Sequence, residues 1–211
     1  MTWPTALPLV AILRGITPTE AVAHARAVLD AGFDAIEVPT NSPDWAISVR
    51  AIVALAPQAL VGAGTLLSTA DLDALLAAGG RLAVSPHTDV ELVTECVRRG
   101  CIVVPGAMTP SEVFAAWRAG ATAVKIFPAS TLGPAHAKAL RAVLPADLPL
   151  LAVGGVSPAN LVDYLKAGCA GAGLGSELYR PGQAPETTAA NAAAFVAAYH
   201  AAFGTDRVDK G

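Results

Sequence analysis

The chain has 211 residues, a net charge of -3 and only 15% charged residues, so it offers neither a basic stripe for nucleic acid nor a long acidic run. That length suits one α/β domain with a small-molecule substrate, no nucleic-acid partner and no membrane partner. The three cysteines, Cys96, Cys101 and Cys169, are odd in number and lack metal-type spacing, which argues against a disulfide framework or a zinc site and for a reducing, cytoplasmic setting.

The opening residues, Met-Thr-Trp-Pro-Thr-Ala-Leu-Pro, lack the basic segment, apolar stretch and small-residue cleavage site of an export signal. Eight short apolar runs follow: Leu7 to Arg14, Ala35 to Pro39, Leu60 to Thr65, Leu82 to Pro86, Ile102 to Met108, Ala123 to Pro128, Leu150 to Gly155 and Gly171 to Ser176. Alanine-rich amphipathic stretches separate them, the alternation expected of βα units around a parallel sheet. Thr17-Pro18-Thr19-Glu20, Ser42-Pro43, Ser68-Thr69-Ala70-Asp71, Thr109-Pro110-Ser111-Glu112 and Ser157-Pro158 read as helix starts, pairing a hydroxyl cap with proline or acid. Gly32, Gly79, Gly100, Gly120 and Gly168 mark helix ends.

Residues 51 to 70 carry no charge, yet Pro57-Gln58 and Gly62-Ala63-Gly64-Thr65 divide them into a helix end and a strand, not a membrane span. The last helix is expected from about Glu186 to Phe203, followed by a mobile polar tail over 204–211. Eight units without a composition break predict a single-domain (β/α)8 TIM barrel over 1–203, because closure removes exposed sheet edges. A doubly wound open sheet is the structural alternative.

In such a barrel the site forms at the C-terminal strand ends, so polar residues ending the apolar runs are the candidates. Lys125 lies in Ala123-Val124-Lys125-Ile126-Phe127-Pro128, with one ammonium group inside an apolar strand. An ordinary lysine, pKa ~10.4, is only about one part in 2500 neutral at pH 7, so its pKa must fall by roughly 3 before the free amine is common. Burial and a neighbouring cation lower it, which makes the amine a nucleophile toward carbonyls. The alternative is a surface lysine that snorkels to water.

If Lys125 points inward, strand alternation turns Phe127 inward as well and sends Val124 and Ile126 toward the helices. Glu37, between Ile36 and Val38, is a second inward candidate that needs a cation, water or substrate to bond; a simple ion pair with Lys125 or Arg14 is its structural reading. Arg14 ends the first run and Thr65 the third. Gly154-Gly155-Val156-Ser157-Pro158 and Gly173-Leu174-Gly175-Ser176 are glycine-rich turns, each expected to lead into a helix whose N-terminal amides receive a phosphate. His24, His136 and His200 read as surface residues, while His87 is a candidate for the barrel mouth. No histidine pair has metal-ligand spacing, so neither a metal nor a cofactor is expected.

Ala11-Ile12-Leu13-Arg14-Gly15-Ile16, Ile36-Glu37-Val38-Pro39, Val61-Gly62-Ala63-Gly64-Thr65, Val124-Lys125-Ile126-Phe127-Pro128-Ala129 and Ala152-Val153-Gly154-Gly155-Val156 together resemble the bacterial 2-keto-3-deoxy-6-phosphogluconate and 2-keto-3-deoxy-6-phosphogalactonate aldolases. Glu37-Val38-Pro39-Thr40-Asn41-Ser42-Pro43 and the segment from Gly171 to Tyr179 are similar to the phosphogalactonate branch; the phosphogluconate branch has threonine where this chain has Val153. The resemblance implies a (β/α)8 barrel, usually trimeric, performing class I aldol chemistry without a metal. It also implies Lys125 as the Schiff-base lysine and Glu37 as the acid/base. Arg14 and Thr65 would lie near a pyruvate carboxylate, with Gly154, Gly155, Gly175 and Ser176 at a phosphate. Other readings remain open: the C4 epimer as main substrate, a phosphosugar isomerase or synthase with a non-covalent Lys125, or a silent sugar-phosphate-binding barrel.

Overall fold

Runs of Val, Ile and Leu become strands and the alanine-rich stretches become helices, in the order β1 (Leu9–Ile12), α1 (Pro18–Asp30), β2 (Ala35–Pro39), α2 (Trp45–Leu55), β3 (Leu60–Gly64), α3 (Thr69–Ala77), β4 (Leu82–Val84), α4 (Val90–Arg98), β5 (Ile102–Val104), β6 (Gly106–Ala107), α5 (Pro110–Arg118), β7 (Val124–Ile126), α6 (Ala129–Arg141), β8 (Leu150–Val153), α7 (Pro158–Lys166), β9 (Gly171–Leu174) and α8 (Pro185–Phe203). The computed structural model describes residues 3–203, and the polar tail expected over 204–211 lies outside the described residues.

Every strand pair is parallel, in the order β5-β4-β3-β2-β1-β9-β8-β7-β6. The first strand pairs with both β2 and β9, and β5 and β6 are successive pieces of one stretch of chain, so the sheet is a barrel rather than the doubly wound alternative. The run expected as one strand from Ile102 to Met108 is divided at Pro105. Proline has no N–H for the ladder. Its carbonyl still accepts from Lys125 N at 2.9 Å, and Ala107 O accepts from Phe127 N at 3.1 Å, so the join to β7 continues past the division.

Strand alternation sorts the core into two layers. Leu9, Ala11, Ile36, Val38, Ala63, Val124, Ile126, Leu150 and Ala152 face outward and pack in one cluster with Val28, Val49, Ile52, Leu72, Leu161 and Phe195 from the helices. Val10, Ile12, Ala35, Leu82, Val84, Val104, Ala123, Leu151 and Val153 fill the interior. Each fully buried Leu or Ile in these layers contributes about 1.5–3 kcal/mol relative to exposure. The same parity turns Glu37 on β2 and Lys125 on β7 inward, since their neighbours Ile36, Val38, Val124 and Ile126 all belong to the outer layer.

Most expected helix boundaries are present. Ser68 Oγ accepts from Asp71 N at 3.2 Å, and Thr109 exchanges bonds with Glu112 in a capping box. The glycines predicted as helix ends all have positive φ, from 78° to 103°. Ser42-Pro43 departs from expectation. Helix α2 starts later, at Trp45, because the Ser42 hydroxyl accepts from Gly15 N at 2.9 Å and ties the loop after β2 to the loop after β1. His24, expected on the surface, is buried between α1 and α8, with Nδ1 2.8 Å from Thr188 Oγ1 and its ring edge-on to Tyr179. Packing against α8 overrides the surface reading taken from the pattern of α1 alone.

No described helix is long and apolar enough to cross a membrane. All three cysteines are free and buried.

Candidate active site

Eight staves form the ring if β5 and β6 are taken as one, and β2 and β7 lie four staves apart, so Glu37 and Lys125 face one another across the barrel axis. Both are nearly sealed from solvent, at 2% and 6% relative exposure. They line a small internal cavity with Val10, Ile12, Val84, Val104, Leu151, Val153 and Gly173. Lys125 therefore does not snorkel to water.

Burial governs both charges. It pulls the Lys125 amine below the usual lysine range, opposed by Glu37 and, more weakly, assisted by the Arg14 guanidinium. The same burial pushes the Glu37 carboxyl above the usual carboxylate range, with the positive charges of Lys125 and then Arg14 opposing it. A dry, apolar site thus weakens the charged form of both groups, while their mutual attraction works against that weakening. Glu37 Oε2 is buried without a hydrogen-bond partner. The Lys125 Nζ stands 5.0 Å from the centroid of the Phe127 ring. That contact links the internal cavity to the open cleft above it, because Phe127 lines the cleft.

The cleft measures about 390 Å³ and is lined by Ile12, Arg14, Gly15, Phe127, Val153, Gly154, Gly155, Val156, Gly175, Ser176, Tyr179, Arg180 and Pro181. Ile12 and Val153 also bound the internal cavity, so they form the boundary between the two spaces. The structure thus assembles seven sequence candidates around one opening: Arg14, Phe127, Val153, Gly154, Gly155, Gly175 and Ser176.

Arg14, expected at the strand end, lies two residues past β1 on the exposed rim. Its Nη1 donates to Asn41 Oδ1 at 2.7 Å. Thr65 does not line the cleft; it follows Gly64 with φ 57°, a conformation uncommon for a β-branched residue, and its carbonyl accepts from Thr40 Oγ1 at 2.7 Å. His87 is exposed and lines neither the cleft nor the internal cavity.

The two glycine-rich turns differ. Gly154 and Gly155, with φ 97° and 72°, lead into α7 through the Ser157 cap, and Asn160 fastens the turn by accepting from Ser157 N and donating to Gly155 O. Gly175-Ser176 does not open a helix as expected. Gly175 O accepts from Leu178 N and Tyr179 N in a single turn, and α8 begins only at Pro185.

The sequence reading gave Gly64 no role and placed Gly173 in a phosphate turn; both are inward-facing strand residues that leave room for Glu37 and for the cavity under Ile12 and Val153. Strand parity held a signal for both. It also missed Asn41, Tyr179 and Arg180. Tyr179 is buried, its hydroxyl lacks a partner and burial pushes that hydroxyl up to about 12. Among the described residues no group of three or more His, Cys, Asp or Glu is placed to hold a metal ion.

The family model described as "KDPG and KHG aldolase" matches residues 4–191. A 2-dehydro-3-deoxy-6-phosphogalactonate aldolase from Escherichia coli K12 is 56% identical, covering 96% of this chain and 99% of its own length. A protein from Rhizobium meliloti described as a probable enzyme of the same name is 46% identical and covers 95% of each chain. The solved "Native KDPGal structure" superposes with a TM-score of 0.94 at 56% identity, covering 96% of this chain and 99% of its own. A porous protein cage designed by fusing symmetric oligomeric domains contains a chain with a TM-score of 0.92 and 56% identity, covering 94% of this chain and 74% of that one.

Proposed function

Because the chain belongs to the KDPG and KHG aldolase family, we propose that it is a class I aldolase cleaving 2-dehydro-3-deoxy-6-phosphogalactonate to pyruvate and D-glyceraldehyde 3-phosphate, with Lys125 as its amine. The observation that carries this reading is the sealed, opposed pair of Lys125 and Glu37 beneath a cleft lined by glycine-rich turns. Resemblance to enzymes of that name at 56% and 46% identity supports the substrate.

Neutral Lys125 attacks the C2 ketone, and a proton passes from nitrogen to oxygen to give a carbinolamine. Protonated Glu37 donates to the departing hydroxyl; water leaves and a cationic iminium forms. The Glu37 carboxylate then takes the C4 hydroxyl proton as the C3–C4 bond breaks. The bond electrons enter the iminium, giving a neutral enamine and glyceraldehyde 3-phosphate. Glu37 returns its proton to C3, then deprotonates the water that adds to C2, and carbinolamine collapse releases pyruvate and the free amine. The iminium is the electron sink, so this sequence asks for no metal.

Arg14, held by Asn41, binds the carboxylate by charge-assisted hydrogen bonds. The backbone at Gly154-Gly155 and Gly175-Ser176 receives the phosphate, the first turn aided by the N-terminus of α7. The enzyme works in the cytoplasm as a homotrimer. Similarity to a chain built into a cage of fused symmetric oligomers supports assembly, and the exposed side chains of Leu67, of Val90 at the start of α4 and of Met108 supply apolar surface for it.

Supplying the purified protein with each C4 epimer and following pyruvate release tests the assignment. Preferential cleavage of the galactonate epimer is the expected result. Binding without cleavage of either epimer would favour a silent sugar-phosphate-binding barrel, and preference for the gluconate epimer would reassign the substrate.

A further inference from the structure

The phosphate end of the cleft was expected to be formed by two helix N-termini, and the structure provides only one. Beyond Gly175-Ser176 the chain makes a single turn in place of a helix, so the electrostatic attraction of a helix end is lacking on that side. In its place the turn carries a cation. Arg180 lines the same cleft as Gly154, Gly155, Gly175 and Ser176, and it and Arg14 are the two formally charged side chains there. Arg14 follows the adjacent strand β1, and its Nη1 donates to Asn41 Oδ1 in the loop after β2.

The Arg180 guanidinium is tethered but not used up. Its Nε donates to Ser176 O at 2.8 Å, and its Nη2 reaches Glu177 Oε1 at 3.2 Å. A guanidinium has five N–H donors, so most remain available. The pair with Glu177 is exposed, at 65% and 45% for the two side chains, and exposed pairs of this kind are weak and easily exchanged for a better acceptor. The backbone beneath is fixed: Gln183 accepts from Arg180 N at 3.1 Å, and Gln183 and Asn191 both donate to Leu178 O. The Nε bond to Ser176 O then holds the guanidinium beside the turn.

From this arrangement we propose that Arg180 is a substrate-binding residue for the phosphate group, exchanging Glu177 for phosphate oxygens when substrate enters. Planar guanidinium donors match two phosphate oxygens at once. The substrate identity rests on the aldolase reading above; phosphate recognition by Arg180 does not.

Calorimetric binding of glycerol 3-phosphate, which has the phosphate and no ketone, separates the two questions. Wild-type protein should bind it, Arg180→Gln about 10- to 100-fold more weakly, and Arg180→Lys between them. In cleavage assays Arg180→Gln should raise KM for the phosphorylated substrate by a similar factor, with kcat little changed. Cleavage of the unphosphorylated sugar acid and trapping of pyruvate by borohydride should stay at wild-type levels. Equal glycerol 3-phosphate affinity in wild type and Arg180→Gln, or no binding by the wild type, would overturn the proposal. Parallel loss of pyruvate trapping in Arg180→Gln would also overturn it, because that result assigns Arg180 to folding of the turn. If phosphate binding is lost as expected but the wild type cleaves neither epimer, the aldolase assignment fails and Arg180 keeps its role.

Discussion

The Glu37 carboxylate lies directly above Gly64: a Cβ built on that glycine would sit 2.4 Å from Glu37 Oε1 and 2.7 Å from its Cδ. Gly64 lies outside the left-handed region, so alanine imposes no backbone strain there and acts only by displacing the carboxylate. Gly64→Ala should therefore fold normally and lower kcat by about 10²-fold, the order of loss expected from a displacement of about 1 Å. Steady-state rates with circular dichroism check this, and unchanged kcat would mean that Glu37 need not hold its place.

Arg14 supplies a pH prediction. Burial depresses the Lys125 amine most, and the Arg14 cation adds in the same direction. Removing that charge in Arg14→Gln lifts a destabilising influence on the ammonium, so the lysine pKa rises. The acidic limb of imine formation, followed at saturating pyruvate, should move to higher pH. A limb that stays in place or moves to lower pH would contradict the coupling.

Val153 borders both the cleft and the internal cavity and is 7% exposed. If Val153 faces the substrate C4, a hydroxyl there would bond the oxygen of one epimer, so Val153→Thr should shift the ratio of kcat/KM for the two epimers toward the gluconate form by about tenfold. Side-by-side kinetics decide it; an identical ratio would remove Val153 from epimer choice.

A buried amine burdens the fold. Its folded pKa is depressed, so as the pH falls through the ordinary lysine range the unfolded chain takes up a proton before the native state does, and the native state loses stability relative to it. Lys125→Met should end turnover and raise stability at pH 7. That gain should disappear as the pH rises through the ordinary lysine range. Thermal melts at pH 7 and pH 11 test the sign, and a destabilised variant at pH 7 would contradict it.

Strand alternation made the barrel and its inward residues legible: placing Lys125 and Phe127 inside with Val124 and Ile126 outside required only period two and an apolar run. Pro105 already stood inside an expected strand, where its missing N–H divides the ladder. Other features depend on partners distant in sequence. Ser42 leaves its helix-start role for Gly15 N, 27 residues away, and His24 is buried only because Thr188 and Tyr179 arrive from the far end of the chain. Arg180 follows a turn whose sequence also suits a helix start, and only the fold shows that the helix is missing there.

The proposed chemistry requires the Lys125 nitrogen to bond covalently to a 2-oxo acid. Incubation with pyruvate and borohydride, followed by peptide mass spectrometry, measures this directly. A reduced pyruvyl adduct on Lys125 and none in Lys125→Ala is the expected result. An adduct on another lysine, or trapping at the wild-type level in that variant, would contradict it.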